Sequence, residues 1–233
     1  MSKANKRERQ RENRDRAREE RERLIRRDKQ KRAVIGLVVA LAIVAGAYAV
    51  FALLTGDDDK KAEKPSTPAM KIDQAKTYTA TFETSEGTIV AELDAKTAPV
   101  ATNNFVSLAR DGFYDGTNFH RIVKDFMIQG GDPKGDGTGG PGYTVTGEVP
   151  TDNYPEGSLA AAKTAAEAPG TMGSQFFIVT GSQGATLPND YARFGKVTEG
   201  MDVAKAIEGF GTVESAGTPT KQVVIKKVTI TET

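Results

Sequence analysis

The longest apolar stretch of the chain lies between two charged segments near the N terminus. Residues 33–54, AVIGLVVALAIVAGAYAVFALL, contain no charged side chain. As a helix this stretch would extend about 33 Å, enough to cross the hydrocarbon core of a bilayer. We therefore predict a transmembrane helix over 33–54 rather than a buried core helix. A cleaved signal peptide is the remaining alternative, because Ala47-Tyr48-Ala49 resembles a small-residue cleavage site.

The polar pattern changes again after the apolar stretch. Residues 55–76 are polar, contain two prolines and show no periodicity, which predicts a linker. The segment TYTATFETSEGTIVAELDA then alternates β-forming and polar residues on either side of Ser85-Glu86-Gly87. This pattern predicts two strands joined by a tight turn.

Two short segments with a helical period interrupt the β-rich pattern. One begins at Pro99, has Phe105 and Leu108 on its apolar face, and ends at Gly112. The other, GMDVAKAIEGFG, lies near residue 200. The chain closes with the alternating strand VVIKKVTITET. Many short strands with only two helices predict a mainly β domain over residues 77–233, folded as a closed barrel.

The charge is distributed unevenly along the chain. The whole sequence carries a net charge of +1, but residues 1–32 hold 15 Lys/Arg and 7 Asp/Glu, hence +8. The rest holds 17 and 24, hence −7. A basic head stays in the cytoplasm. We therefore expect a single-pass protein of the cell membrane with a cytoplasmic N terminus and residues 55–233 outside. Interspersed acids and the lack of aromatic partners disfavour nucleic-acid binding by the head.

The residue inventory excludes several kinds of chemistry. The chain has no cysteine and a single histidine, His120, so thiol catalysis, disulfides and a histidine-based metal cluster are excluded. Ser174 is not in a Gly-x-Ser-x-Gly elbow, and GDGTGGPG lacks the Gly-Lys-Ser/Thr ending of a phosphate loop. Asp132 and Asp136 lack calcium-loop spacing. We predict neither a metal nor a cofactor.

An arginine inside an apolar run is the strongest remaining signal. It occurs in FHRIVKDFMIQGGDP, residues 119–133, and a buried guanidinium is costly unless it has partners. Together with GSQFFIVTG (173–181) and ARFGKV (192–197), this segment resembles the cyclophilin family of peptidyl-prolyl cis/trans isomerases. The resemblance extends from about Tyr78 to Thr231. It implies an eight-stranded antiparallel barrel capped by two helices.

The resemblance also implies a site. It assigns catalysis to Arg121, and it assigns substrate binding to His120, Phe126, Met127, Gln129, Gln175, Phe177, Leu187 and Tyr191. The sequence departs from the family at three places. Tyr191 replaces a common histidine, and Thr186 replaces a tryptophan at the rim, which implies weak cyclosporin binding. Lys163 lies near a usual asparagine in a lengthened segment, 160–173, so the contact made there with the substrate backbone is not assigned.

The implied reaction is rotation about X-Pro bonds in folding or exported polypeptides. No bond is broken, so neither a nucleophile nor a metal is required, and a guanidinium beside the prolyl nitrogen stabilises the twisted bond. A non-catalytic module that binds or holds proline-containing peptides is the alternative on the same fold.

Overall fold

The structure, a computed structural model, describes residues 66–213 and 217–233. The predicted charged head (1–32) and membrane helix (33–54) lie outside these residues, as does the first half of the predicted linker (55–76). Among the described residues, no helix has the length and apolar character needed to span a bilayer.

Strands dominate the described part of the chain. Its two α-helices are α1 (Pro99–Arg110) and α2 (Met201–Glu208), and a 3-10 helix covers Ser182–Thr186. The strands are β1 (Tyr78–Thr84), β2 (Thr88–Leu93), β3 (Arg121–Val123), β4 (Met127–Gly130), β5 (Val145–Thr146), β6 (Ser158–Ala161), β7 (Thr171–Met172), β8 (Phe176–Val179), β9 (Arg193–Glu199) and β10 (Ile225–Glu232).

Local sequence signals placed the first elements correctly. β1 and β2 form the predicted hairpin, in which Thr84 N donates to Gly87 O over 2.9 Å. Gly87 has φ 140°, a conformation that side chains with a Cβ rarely adopt. α1 begins at Pro99 as predicted, since the fixed φ of proline suits the first helical position.

Eight strands form one antiparallel sheet in the order β10-β1-β2-β9-β6-β8-β4-β3, and β5 pairs with β7 separately. The two helices accompany this sheet as predicted. The prediction of a closed barrel is wrong, however, because the edge strands β10 and β3 do not form a ladder with each other. The sheet is an open half-barrel.

Loops occupy the places where closure would occur. The outer edge of β3 bonds to residues after α2, with Ile122 N donating to Gly217 O over 2.7 Å and Thr212 N donating to Ile122 O over 3.3 Å. Near the start of β10, Gly116 N donates to Ile225 O over 2.8 Å. These loop bonds satisfy the edge groups that a closed barrel would pair between strands.

The end of the predicted linker packs against α1. Ile72 is buried, Lys71 N donates to Asn103 Oδ1 over 2.8 Å, and Asn103 Nδ2 donates to Ala69 O over 3.0 Å. Asn103, itself buried, thus fixes the chain several residues before β1.

The strands β3, β4 and β8 have two apolar faces. Ile122, Ile128 and Ile178 point into the main core beside α1. Their neighbours in sequence point the other way, because successive side chains of a strand alternate. This second face carries a separate apolar group, the outer cluster, which contains Val123, Met127, Tyr154, Ala160, Phe177 and Val179, with Phe126, Ala162, Leu187 and Tyr191 packed against it.

Candidate active site

The register of three strands brings the predicted site residues together. Arg121 of β3 pairs with Gln129 of β4, and Gln129 pairs with Phe177 of β8. Two residues along the strands, Met127 pairs with Val179. These side chains share the outer face, so polar groups line one end of it and apolar groups the other.

The outer cluster is the candidate apolar pocket of the site. Met127 and Phe177 are buried at its base, and Phe126, Leu187 and Tyr191 are partly buried around it. All five were predicted as substrate-binding residues, and the structure brings all five together. A mixed wall of thioether, aromatic and aliphatic groups suits a compact apolar ring.

Tyr154 supports this pocket and was missed in the sequence analysis. Its hydroxyl donates to Tyr191 O over 2.8 Å and accepts from Tyr191 N over 3.0 Å. The ring of Tyr191 meets that of Phe177 edge to face, with centroids 5.7 Å apart. Nothing in the local sequence TDNYPEG marks Tyr154, because its partner lies 37 residues away.

The guanidinium of Arg121 lies at the edge of the outer cluster. One of its terminal nitrogens donates to Gln129 Oε1 over 3.3 Å and lies 3.9 Å from Met127 Sδ. Burial lowers the pKa of Arg121, but a guanidinium stays protonated in proteins. A permanent cation is therefore held against an apolar pocket.

Two glutamines link this cation to a glycine-rich loop. Gln129 Nε2 donates to Gln175 Oε1 over 3.0 Å. Gln175 Nε2 in turn donates to the carbonyls of Gly137 and Gly139 over 3.0 and 2.9 Å. Each amide has its oxygen toward the arginine side, so the chain of bonds fixes the direction in which Gln129 Oε1 points.

Asp132 organises that loop. This buried carboxylate accepts backbone N–H bonds from Lys134 (2.7 Å), Asp136 (3.2 Å) and Gly137 (2.6 Å). Burial raises the pKa of Asp132, but these backbone bonds outweigh it and leave the pKa below the ordinary value. From the sequence, Asp132 was noted only for lacking the spacing of a calcium loop. An aspartate before several glycines could have indicated a loop cap instead.

His120 lies behind the glutamines rather than in the pocket. Its Nε2 is 3.5 Å from Gln129 Nε2, and its buried Nδ1 has no hydrogen-bond partner within the described residues. Burial is the main cause that lowers its pKa. The imidazole is therefore neutral near pH 7 and supports Gln129 from behind.

The rim of the pocket differs from its base. Thr186 is exposed at the end of the 3-10 helix, where its hydroxyl donates to Gln183 O over 2.8 Å. The next residue, Leu187, packs on the outer cluster. Thr186 itself contributes no apolar surface to that cluster.

A polar groove, lined mainly by glycines and polar side chains, lies beside the two glutamines. Its volume is about 910 Å³, and its walls include Gly137–Tyr143, Ala162–Thr164, Gln129 and Gln175. Backbone groups and glycines leave room for an extended chain. Within the residues that the structure describes, no group of three or more acidic, histidine or cysteine side chains could hold a metal.

Comparison with known proteins agrees with this geometry. The family described as cyclophilin type peptidyl-prolyl cis-trans isomerase matches residues 79–230. The chain is 42% identical over 148 residues to a peptidyl-prolyl cis-trans isomerase of Helicobacter pylori, covering 60% of this chain and 86% of that protein. It is 43% identical over 150 residues to the human peptidyl-prolyl cis-trans isomerase-like 1, covering 63% and 88%.

Solved structures give the same result. A cyclophilin type peptidyl-prolyl cis-trans isomerase of Cryptosporidium parvum is similar at a TM-score of 0.58 and 33% identity, covering 66% of this chain and 98% of that one. A second structure of that protein, obtained in the presence of the dipeptide Ala-Pro, is similar at a TM-score of 0.56 and 32% identity, with the same coverage of both chains.

Proposed function

This chain belongs to the family of cyclophilin-type peptidyl-prolyl cis/trans isomerases, and from that premise we propose that Arg121 drives X-Pro rotation while the outer cluster holds the proline ring. The chain is an isomerase whose substrates are proline-containing polypeptides.

The reaction needs a twisted amide to be stabilised. Rotation about an X-Pro bond is slow because resonance creates a barrier of about 18–20 kcal/mol. As the bond twists, conjugation is lost and the prolyl nitrogen becomes pyramidal with a localised lone pair. A donor that bonds to this nitrogen better in the twisted state than in the planar state lowers the barrier.

The observation that supports this assignment is the position of the Arg121 guanidinium. The same terminal nitrogen donates to Gln129 Oε1 and lies beside Met127 Sδ at the pocket edge. A proline ring seated between Met127 and Phe177 would have its nitrogen next to the cation. Partial burial of the guanidinium would strengthen its hydrogen bond to the prolyl nitrogen, because less water competes for the donors.

The glutamines suit the substrate backbone. The amide oxygen of Gln129 accepts from Arg121, and its amide nitrogen donates to Gln175. Both glutamines line the polar groove. We assign the groove to the polypeptide on one side of the proline. With the ring held in the pocket and one side held in the groove, only the remaining side is free to rotate.

A protease-coupled assay on an Ala-Pro peptide tests the assignment in the full chain in detergent micelles. Arg121→Ala should lose at least tenfold in kcat/KM, about 1.4 kcal/mol of transition-state stabilisation, with an unchanged melting temperature. Arg110→Ala, which removes an exposed arginine paired with Glu232, is the matched control and should keep full activity. Full activity in a folded Arg121→Ala chain would contradict the mechanism. A wild-type chain that binds the peptide without turnover would support the non-catalytic binding module instead.

We also infer that the isomerase domain is anchored outside the cytoplasmic membrane. The support is the uncharged stretch 33–54 and the charge of +8 on residues 1–32, which favours retention of the head in the cytoplasm. In that position the enzyme would act on exported chains as they fold.

A further inference from the structure

A lysine whose side chain is buried contacts Tyr191 at the wall of the pocket. The side chain of Lys163 is only 1% exposed, although ammonium groups are rarely buried. Its Nζ lies 2.6 Å from Asp190 Oδ2 and 5.2 Å from the centroid of the Tyr191 ring. It also donates to the carbonyl of Glu167 over 3.1 Å. A carboxylate, a carbonyl and an aromatic face thus compensate for the lost hydration.

The segment that carries Lys163 is folded around this ammonium. Thr164 N and Oγ1 donate to Glu167 Oε2 over 2.6 and 2.8 Å, which closes a short turn. At the far end of the segment, Gly170 N donates to Asp190 O over 2.9 Å. Both the side chain and the carbonyl of Asp190 are therefore held by residues 163–170.

Tyr191 is restrained from two sides. The hydroxyl of Tyr154 fixes its backbone. Its ring packs edge to face against the ring of Phe177. The ammonium of Lys163 lies over the ring. Since Tyr191 packs against the outer cluster, the orientation of its ring affects the width of the pocket.

We propose that Lys163 is a positioning residue: paired with Asp190, it holds the Tyr191 ring in the orientation that closes the pocket around proline. The lengthened segment 160–173 thereby sets the affinity of this enzyme for its substrate. Lys163 acts on the Tyr191 ring at the wall of the pocket, so we expect its effect mainly on substrate binding. This inference rests on the proposed roles of Arg121 and the outer cluster.

The experiment separates KM from kcat in the full chain with an Ala-Pro peptide. Lys163→Met keeps the apolar stem and removes the charge. We expect KM to rise about fivefold, as fits the loss of a desolvated cation–aromatic contact, with kcat within about twofold of wild type. Lys205→Met is the matched control, because it breaks an exposed pair with Glu156, and it should leave both constants unchanged.

A double-mutant comparison tests the route through the ring. In a Tyr191→Leu background, Lys163→Met should raise KM no further, because the ring that it positions is gone. Asp190→Asn is a second variant for the case that Lys163→Met folds poorly, and it should also raise KM. An unchanged KM in folded Lys163→Met and Asp190→Asn, or an undiminished effect in the Tyr191→Leu background, would overturn the proposal. Absence of turnover in the wild-type chain would instead overturn the isomerase mechanism.

Discussion

The Arg121 guanidinium lies where the apolar pocket meets the pair of glutamines. A cation placed there acts by its fixed charge and its donors, and no proton has to leave it. The neighbouring His120 lies next to Gln129, and burial lowers its pKa. The imidazole is therefore uncharged near pH 7. We therefore expect catalysis at this site not to depend on a titrating group.

The same histidine makes stability depend on pH. The pKa of His120 in the folded chain lies below the ordinary 6.5, mainly because of burial. As pH falls below 6.5, His120 of the unfolded chain takes up a proton before His120 of the folded chain does. Stability is full above pH 6.5 and is lost as pH falls toward the folded pKa.

Thermal melts at pH 7.5 and 5.5 check this dependence. The wild type should lose roughly 2 °C more than His120→Gln on acidification. Since the chain has one histidine, no other imidazole contributes. Equal losses in the two proteins would show that His120 accepts a proton freely in the folded state.

Thr186 leads to a prediction at the pocket rim. The family resemblance places a tryptophan at this position, and here an exposed threonine bonds to Gln183 O instead. The missing aromatic contact should cost about 2 kcal/mol or more in cyclosporin binding, a factor near thirty. Thr186→Trp should recover this affinity while proline turnover continues in both proteins.

Inhibition titrations on the wild type and on Thr186→Trp measure this difference. Ala185→Trp places the same side chain at the neighbouring exposed position of the 3-10 helix and is the control. Nanomolar binding by the wild type, or no gain from Thr186→Trp, would rule out rim control.

At the scale of elements, the loop after β4 is built around one carboxylate. Asp132 gathers the backbone N–H groups of its own loop, and the loop carbonyls of Gly137 and Gly139 hold Gln175. A methyl group on Gly139 would overlap Asp132 Oδ1, so the loop closes tightly over the carboxylate. The orientation of the glutamines thus depends on a residue that does not contact the pocket.

Asp132→Asn tests this dependence. The amide keeps one acceptor but loses charge and the second oxygen, and bonds to a charged acceptor contribute about 1.5–3 kcal/mol. We expect a lower melting temperature, by about 4 °C or more, together with a several-fold loss of kcat/KM. Asp136→Asn is the control within the same loop, because its exposed carboxylate accepts only local bonds from Thr138. Equal behaviour of the two variants would contradict the role of Asp132.

At the scale of the whole molecule, the isomerase domain is predicted to lie outside the cell membrane. Protease added to intact spheroplasts should digest residues 77–233 and spare the basic head, because a charge of +8 favours retention of that segment in the cytoplasm. Detergent-lysed cells, in which both segments are accessible, provide the control. Protection of the whole chain would reverse the topology, and release of a soluble form that begins near residue 50 would support a cleaved signal.

The sequence by itself determined the family and most of the local elements. The β1–β2 hairpin and the start of α1 follow from glycine and proline, whose backbone preferences act within a few residues. The family resemblance also named nine site residues, five of which lie in the outer cluster or pack against it, but it did not name Tyr154. For Arg121, Met127 and Gln129 the grouping is local, because β3 and β4 are neighbours in sequence and their side chains alternate.

Only the tertiary structure decided how the sheet ends and what supports the site. The sheet is open rather than closed because loop residues such as Gly217 and Thr212 bond to the edge of β3, and periodicity does not record such pairings. Tyr154 supports Tyr191, and Lys163 reaches Asp190, across 37 and 27 positions of the sequence. Contacts of this kind arise from the packing of distant segments, and the pattern of apolar and polar residues within each segment carries no trace of its partner.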